Sequence, residues 1–199
     1  MKRDGELIDQ INRLWLPVYP FMADHVLAVS GVLSGRILDF GPFAGGIAVS
    51  ILEKSPQFRA TVVDESKQVL QLAVEWAREK SCASRLTVRQ APLKAINEPN
   101  GSFDLVIIRG AFFFLTAVLL REVKRVLHRG GFAWVGGGYG PLTPDEVIAP
   151  IADRSRQLNE ALGKQRITAE ACQKLVRKAG LTQYSRVSAN GGLWIEIYG

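Results

Sequence analysis

The chain has little of what marks disulfide-stapled, metal-dependent or membrane-spanning proteins. Two of its 199 residues are cysteine. Cys82 and Cys172 lie far apart and outside any C-x-x-C spacing, which argues against a disulfide framework or a cysteine-bound metal. Both thiols are expected reduced, in the core or on helices. Two histidines occur; His25 and His128 stand alone, without metal-ligand spacing, and are expected on helix surfaces. No apolar run reaches the roughly 18–20 residues needed to cross a bilayer. The N-terminal stretch MKRDGELIDQINRLW has no apolar leader segment, so a cytoplasmic protein is expected. Repeats, low-complexity runs, a Walker loop, G-x-S-x-G and a Ser/His/Asp grouping are all missing.

What is present fits one globular domain large enough to bury most of its apolar surface. The net charge is +6, with basic residues at 121–129, 154–156, 164–166 and 174–178. They punctuate helical patterns at amphipathic spacing, as solvated faces do. A nucleic-acid surface would instead gather them on one face beside stacking aromatics. No nucleic-acid or membrane partner is expected. The charge is compatible with an anionic small molecule, and a homodimer is left open.

The most informative stretch is Arg36-Ile37-Leu38-Asp39-Phe40-Gly41-Pro42-Phe43-Ala44-Gly45-Gly46, followed by Thr61-Val62-Val63-Asp64. An apolar strand runs into an acid, a glycine turn and a helix, and a second apolar strand ends on another acid. Glycines let the backbone approach a ligand, and a helix N-terminus offers unpaired N–H groups. The second acid can accept from ribose hydroxyls, so an adenosine-containing cofactor is expected. Spacing alone does not choose between a dinucleotide and S-adenosylmethionine.

Strand and helix patterns alternate along the chain. Helices are expected at 5–16 and 22–33, separated by Pro17-Val18-Tyr19-Pro20. Strands at 36–40, 59–63, 85–89, 103–108 and 131–136 are interleaved with helices at 45–54, 66–80 and 116–128. Further helices follow at 144–162 and 168–179. Such alternation predicts a mostly parallel sheet covered on both faces. Two last strands, 184–189 and 193–198, flank Asn190-Gly191-Gly192, and Asn-Gly is a strong hairpin signal. The fold class is therefore α/β: a Rossmann-like three-layer sandwich closed by a C-terminal antiparallel hairpin.

That ending, with LDFGPFAGG, VVD, FDLVIIRG and REVKRVLHRGGFAWV in order, resembles the class I S-adenosylmethionine-dependent methyltransferases. The match covers roughly residues 34–140, and the hairpin extends it to the end. IRGAFFF, WVGGGYG and the early PVYP are similar to a group of small bacterial and archaeal methyltransferase-domain proteins. The resemblance implies S-adenosylmethionine as cofactor and S-adenosylhomocysteine as product. It also implies a helical lid at 1–33, a cofactor core at 34–140 and acceptor-side helices with the hairpin at 141–199.

Carried over residue by residue, the resemblance gives Asp39 to the glycine loop or the methionine end of the cofactor. The first and last family glycines match Gly41 and Gly45. Phe43 replaces the middle one, and its ring must turn out of the methionine channel if the loop is to bind; that outward ring is the expectation. Asp64 is assigned the ribose, with Glu65 near the adenine edge. The family acid that reads the adenine amino group is replaced by Pro92, leaving Ala91 and Leu93 backbone groups as substitutes. Arg109 and Ala111 should lie beneath the methionine portion and sulfonium. Arg109 can bind the cofactor carboxylate or a substrate anion, or pair with Asp39. Phe112, Phe113 and Phe114 offer a ring to the sulfonium or to the core. Catalytic candidates are Tyr19, Arg109 and Tyr139. No metal site is expected, Asp104 being the one acid in the fourth strand.

Three functions follow. The leading one is methyl transfer to a small-molecule acceptor. Phe43 and Pro92 motivate the second, a binding protein without catalysis on the same fold. A dinucleotide-dependent oxidoreductase is the third, disfavoured because the loop lacks the middle glycine of G-x-G-x-x-G.

Overall fold

A computed structural model describes residues 2–163 and 167–199. The basic stretch at 164–166 lies outside the described residues. Seven strands form one sheet in the order β3-β2-β1-β4-β5-β7-β6. They are β1 (Gly35–Phe40), β2 (Phe58–Asp64), β3 (Leu86–Gln90), β4 (Phe103–Arg109), β5 (Leu127–Gly138), β6 (Ser185–Ser188) and β7 (Gly192–Tyr198). The first five pair in parallel. β7 runs antiparallel to both β5 and β6. The hairpin expected at Asn190-Gly191-Gly192 is thus present, and so is the antiparallel strand on which the methyltransferase resemblance rested.

Among the described residues seven α-helices cover the sheet: α1 (Lys2–Leu14), α2 (Tyr19–Ser30), α3 (Gly46–Lys54), α4 (Lys67–Glu79), α5 (Ala117–Val126), α6 (Asp145–Ala161) and α7 (Ala169–Ala179). The core splits into two layers by strand alternation. Ile37, Leu105, Ile107, Phe132 and Trp134 face α1–α4 and α6. Their neighbours Leu38, Val106, Ile108, Ala133 and Val135 face α5 and α7. Burial on both faces explains why these strands read as continuous apolar runs. Ser66, Thr116 and Thr168 start α4, α5 and α7 by accepting from the amide three residues on, the usual N-cap bond.

Three local expectations differ. α2 begins at Tyr19 rather than near residue 22, because Pro20 fits the first turn of a helix and does not break it. α5 ends at Val126 and His128 already belongs to β5, where it is exposed. His25 is not on a helix surface. It is 9% exposed, and its ring packs 5.1 Å from that of Trp134. Both cysteines are free and buried. No helix among the described residues is long and apolar enough to cross a membrane.

β1 is the hinge of the sheet order, with β2 on one side and β4 on the other. Open α/β sheets bind ligands at this switch, beyond the C-terminal strand ends. Asp39, Asp64, Gln90 and Arg109 all stand at or next to those ends.

Candidate active site

The glycine turn after β1 is held by one carboxylate. Asp39 Oδ2 accepts from the Gly45 and Ala48 amides at 3.0 and 3.2 Å, capping α3. Gly45 has φ +103°, and a Cβ there would lie 2.6 Å from that of Ala73; only glycine lets the turn close onto α4. The other Asp39 oxygen, Oδ1, is buried without a partner. Burial pushes the Asp39 pKa up to about 7, against the two amides and the nearby Arg109 charge, which favour the anion.

Asp64 repeats the pattern at the end of β2. Its Oδ1 accepts from the Ser66 amide at 2.7 Å, while Oδ2 is buried and unpartnered. Burial lifts its pKa to about 6. Next to it, Glu65 Oε1 accepts from the Leu93 amide at 3.0 Å, and the Ala91 amide donates to the Asp64 carbonyl at 3.0 Å. The N–H groups of Ala91 and Leu93 are therefore engaged within the protein. Pro92 is exposed.

Arg109 ends β4 and is only 5% exposed. Its Nη1 donates to the Tyr19 hydroxyl at 3.1 Å. Three rings surround the guanidinium: Trp15 at 4.0 Å, Phe43 at 5.0 Å and Tyr19 at 5.3 Å. The Asp39 ion pair weighed from the sequence is not made. Each ring face offers a modest cation–π attraction of about 0.5–2 kcal/mol, which offsets part of the cost of burying the charge.

Phe43 is turned into the protein, not toward solvent. Its ring is 3% exposed and lies against Gly110, where a Cβ would overlap it. It also sits 5.9 Å from the Phe113 ring. Gly110 has φ +68°, so a glycine beyond β4 supplies the slot into which the ring of the loop folds. The hydrophobic gain of burying a phenyl group explains the inward turn. Among the other phenylalanines, Phe114 approaches Phe40 and the open side of Gly41.

Tyr19 is buried on the backbone of Gly46. Its hydroxyl donates to Asn12 Oδ1 at 3.0 Å, and Asn12 Nδ2 reaches the Pro42 carbonyl at 3.3 Å. Burial pushes the Tyr19 pKa up to about 12, so the phenol keeps its proton at neutral pH. Tyr139 is 37% exposed. Ala111 is fully buried at the turn after Gly110.

A chamber of about 340 Å³ opens beside Arg109, between the ends of β4 and β5 and helix α6. Trp15, Phe43, Phe113 and Ile151 supply apolar walls, while Ser155 and Asn159 add polar groups. Tyr139 and Gly138 line it as well, so the glycine run that ends β5 borders the pocket. Asp39, Gly41 and Asp64 are not on its wall, whereas Phe43, from the same glycine turn, is. Trp15, Asn12, Ser155 and Asn159 were not singled out from the sequence. The Trp15 indole donates to Ser155 Oγ at 2.8 Å, joining segments 140 residues apart, and no local pattern announces such a contact. Asp104 is remote from this site and accepts from the Arg36 amide near the start of β1. Among the described residues no group of three His, Cys, Asp or Glu could hold a metal ion.

Comparison with known proteins agrees with this architecture. A family model described as a methyltransferase domain matches residues 37–131. The chain is 36% identical over 104 residues to the ubiquinone/menaquinone biosynthesis C-methyltransferase UbiE of Geotalea uraniireducens, covering 50% of this chain and 43% of that protein. It is 31% identical over 146 residues to ribosomal RNA large subunit methyltransferase G of Ectopseudomonas mendocina, covering 68% of this chain and 35% of that one. The chain thus spans less than half the length of both. A Methanococcus maripaludis structure, itself only provisionally assigned as an S-adenosyl-L-methionine-dependent methyltransferase, superposes with a TM-score of 0.80 at 24% identity. The alignment covers 98% of this chain and 91% of that one. The chain is thus similar to methyltransferase domains over residues 37–131 and shares the fold of that solved structure along nearly its whole length.

The cofactor this similarity implies is S-adenosylmethionine. The site has groups that suit it. Two buried carboxylate oxygens without partners, Asp39 Oδ1 and Asp64 Oδ2, match an ammonium and a ribose diol, since buried polar atoms seek hydrogen bonds.

Proposed function

We propose that this chain transfers the methyl group of S-adenosylmethionine to a small molecule held in the chamber beside Arg109. The observation that carries the reading is the pair of unpartnered carboxylate oxygens at the ends of β1 and β2, next to a separate apolar chamber. When bound, the cofactor supplies a methyl group on a sulfonium, which is a good leaving group. The protein's task is then placement. Asp39 holds the cofactor ammonium, Asp64 the ribose hydroxyls, and Glu65 fixes the loop at 91–93 under the adenine. Helices in segment 1–33 act as a lid, tied down by Trp15 on Ser155 and Asn12 on Pro42. In-line geometry can supply most of the rate once both reactants are held.

Neither Tyr19 nor Arg109 offers a base, because one keeps its phenol proton and the other is a cation. This suits an acceptor already nucleophilic at neutral pH, such as a thiolate or an amine. A relative named for C-methylation and one named for ribosomal RNA bracket the acceptor. Apolar walls and a volume of about 340 Å³ favour a small molecule, since such volumes are typical of small-ligand pockets.

A second reading, ligand binding without methyl transfer, is favoured by the inward Phe43 ring and by Pro92. The two readings separate in one experiment. Purified protein with S-adenosylmethionine is given small thiols and amines, or ribosomal RNA, and S-adenosylhomocysteine release is followed. Release with a small acceptor is expected. Transfer to RNA alone contradicts the acceptor class, and cofactor binding without any release supports the second reading.

A further inference from the structure

Arg109 is a buried cation that makes one side-chain hydrogen bond among the described residues. It runs from Nη1 to Tyr19, and among the described residues no carboxylate pairs with Arg109. A guanidinium carries five N–H donors. Removing such a charge from water with no carboxylate in contact is costly, and the nearby Asp39 charge and the aromatic faces compensate only in part. Arg109 lies on the chamber wall, so its remaining donors can meet an occupant of the chamber.

We infer that the acceptor of this enzyme is an apolar organic acid whose carboxylate docks on Arg109 at the closed end of the chamber. The inference rests on the methyl-transfer reading for the word acceptor, but not for the anion site itself. Geometry favours a carboxylate, because a planar guanidinium takes two parallel oxygens. Charge favours a monoanion. Among the described lining residues Arg109 is the one buried cation; Arg156, also on the wall, is exposed on α6 and paired with Asp153. A phosphate dianion would leave surplus charge among Trp15, Phe43 and Phe113. Glu160, the only carboxylate among the described lining residues, is exposed on α6. The docked carboxylate is an anchor and not the methylated atom, since a guanidinium draws electron density from the oxygens it binds.

An alternative anion is the cofactor's own carboxylate. Against it, the chamber wall that includes Arg109 contains none of Asp39, Gly41 or Asp64.

The test is calorimetric titration of the protein with 1-naphthoate and with neutral 1-naphthamide, each with and without saturating S-adenosylhomocysteine. The acid should bind at least about tenfold more tightly than the amide (about 1.4 kcal/mol), with cofactor product present or absent. Arg109→Gln should erase that difference, and Arg109→Lys should keep part of it. Because Arg109 is buried, the thermal transition of each variant is recorded to establish that it folds. Ala152→Trp, on the exposed side of α6 and on the chamber wall, gives a second arm. It should block the acid while leaving S-adenosylhomocysteine affinity within about threefold. Equal binding of acid and amide to the wild type would overturn the inference. So would competition between naphthoate and S-adenosylhomocysteine, or a loss of product affinity in Arg109→Gln as large as the loss for naphthoate. Acid preference in a protein that binds no S-adenosylhomocysteine would keep the anion site and remove the methyl-transfer reading. Product binding without acid preference would do the reverse.

Discussion

The ring of Phe43 fills the space that a side chain on Gly110 would need. The two residues come from different strand ends, one after β1 and one after β4, and each explains the other. A bulky residue replaces the middle glycine of the loop, and a glycine with φ +68° receives it. The ring in turn forms one wall of the Arg109 cage.

This pairing predicts strong coupling. Gly110→Ala should cost about 2–4 kcal/mol, from a left-handed backbone and a forced ring displacement. In a Phe43→Ala background the displacement part disappears, so a double-mutant cycle by denaturant unfolding should show a coupling of about 1–3 kcal/mol. Phe43→Ala should also leave S-adenosylhomocysteine affinity within about tenfold, roughly 1.4 kcal/mol. A gain far beyond that would show that the ring blocks the cofactor, as the non-catalytic reading requires.

Asp39 makes both stability and binding depend on pH. Its folded pKa of about 7 lies above the unfolded value, so the folded state holds the proton more tightly. Its contribution is fully present below about pH 4 and is lost as pH rises through about 7. Relative to Asp39→Asn, the ligand-free wild type should therefore lose on the order of 2–4 kcal/mol between pH 4 and pH 8. Binding runs the other way. The cofactor ammonium prefers ionised Asp39, so S-adenosylhomocysteine affinity should rise as pH increases from about 5 to 8. A flat difference between wild type and Asp39→Asn contradicts the assignment.

Tyr19 is predicted to hold the lid and not to move protons. Tyr19→Phe removes a hydroxyl that links Asn12 to Arg109 and should cost about 1–3 kcal/mol of stability, because buried polar partners are left unpaired. The pH profile of methyl transfer should keep its shape. Loss of a pH limb in the variant would identify the phenol as a base.

Much of this was legible in the sequence because it is written in local patterns. Runs such as Leu105-Val106-Ile107-Ile108 are apolar on both faces and mark interior strands, and Asn190-Gly191 marks the hairpin. Asp39, Gly41, Gly45 and Asp64 sit at strand ends that the same patterns locate. The slot that takes the Phe43 ring was not legible, since it depends on Gly110, 67 positions away. Likewise His25 faces the sheet because α2 packs over Trp134, which its own sequence does not disclose. The chamber was the least legible part. Trp15, Arg109 and Ser155 meet only after α1 and α6 close over the strand ends, and of the three only Arg109 lies in a motif.

The central claim is that an adenosyl cofactor binds across the ends of β1 and β2 with its ribose on Asp64. Calorimetric titration of wild type and Asp64→Ala with S-adenosylhomocysteine, with NADH as a control, tests it most directly. The account predicts saturable binding to the wild type, none of NADH, and a loss of about 1–3 kcal/mol in Asp64→Ala, the worth of hydrogen bonds to a charged group. Unchanged affinity in Asp64→Ala, or no binding to a folded wild type, would contradict it.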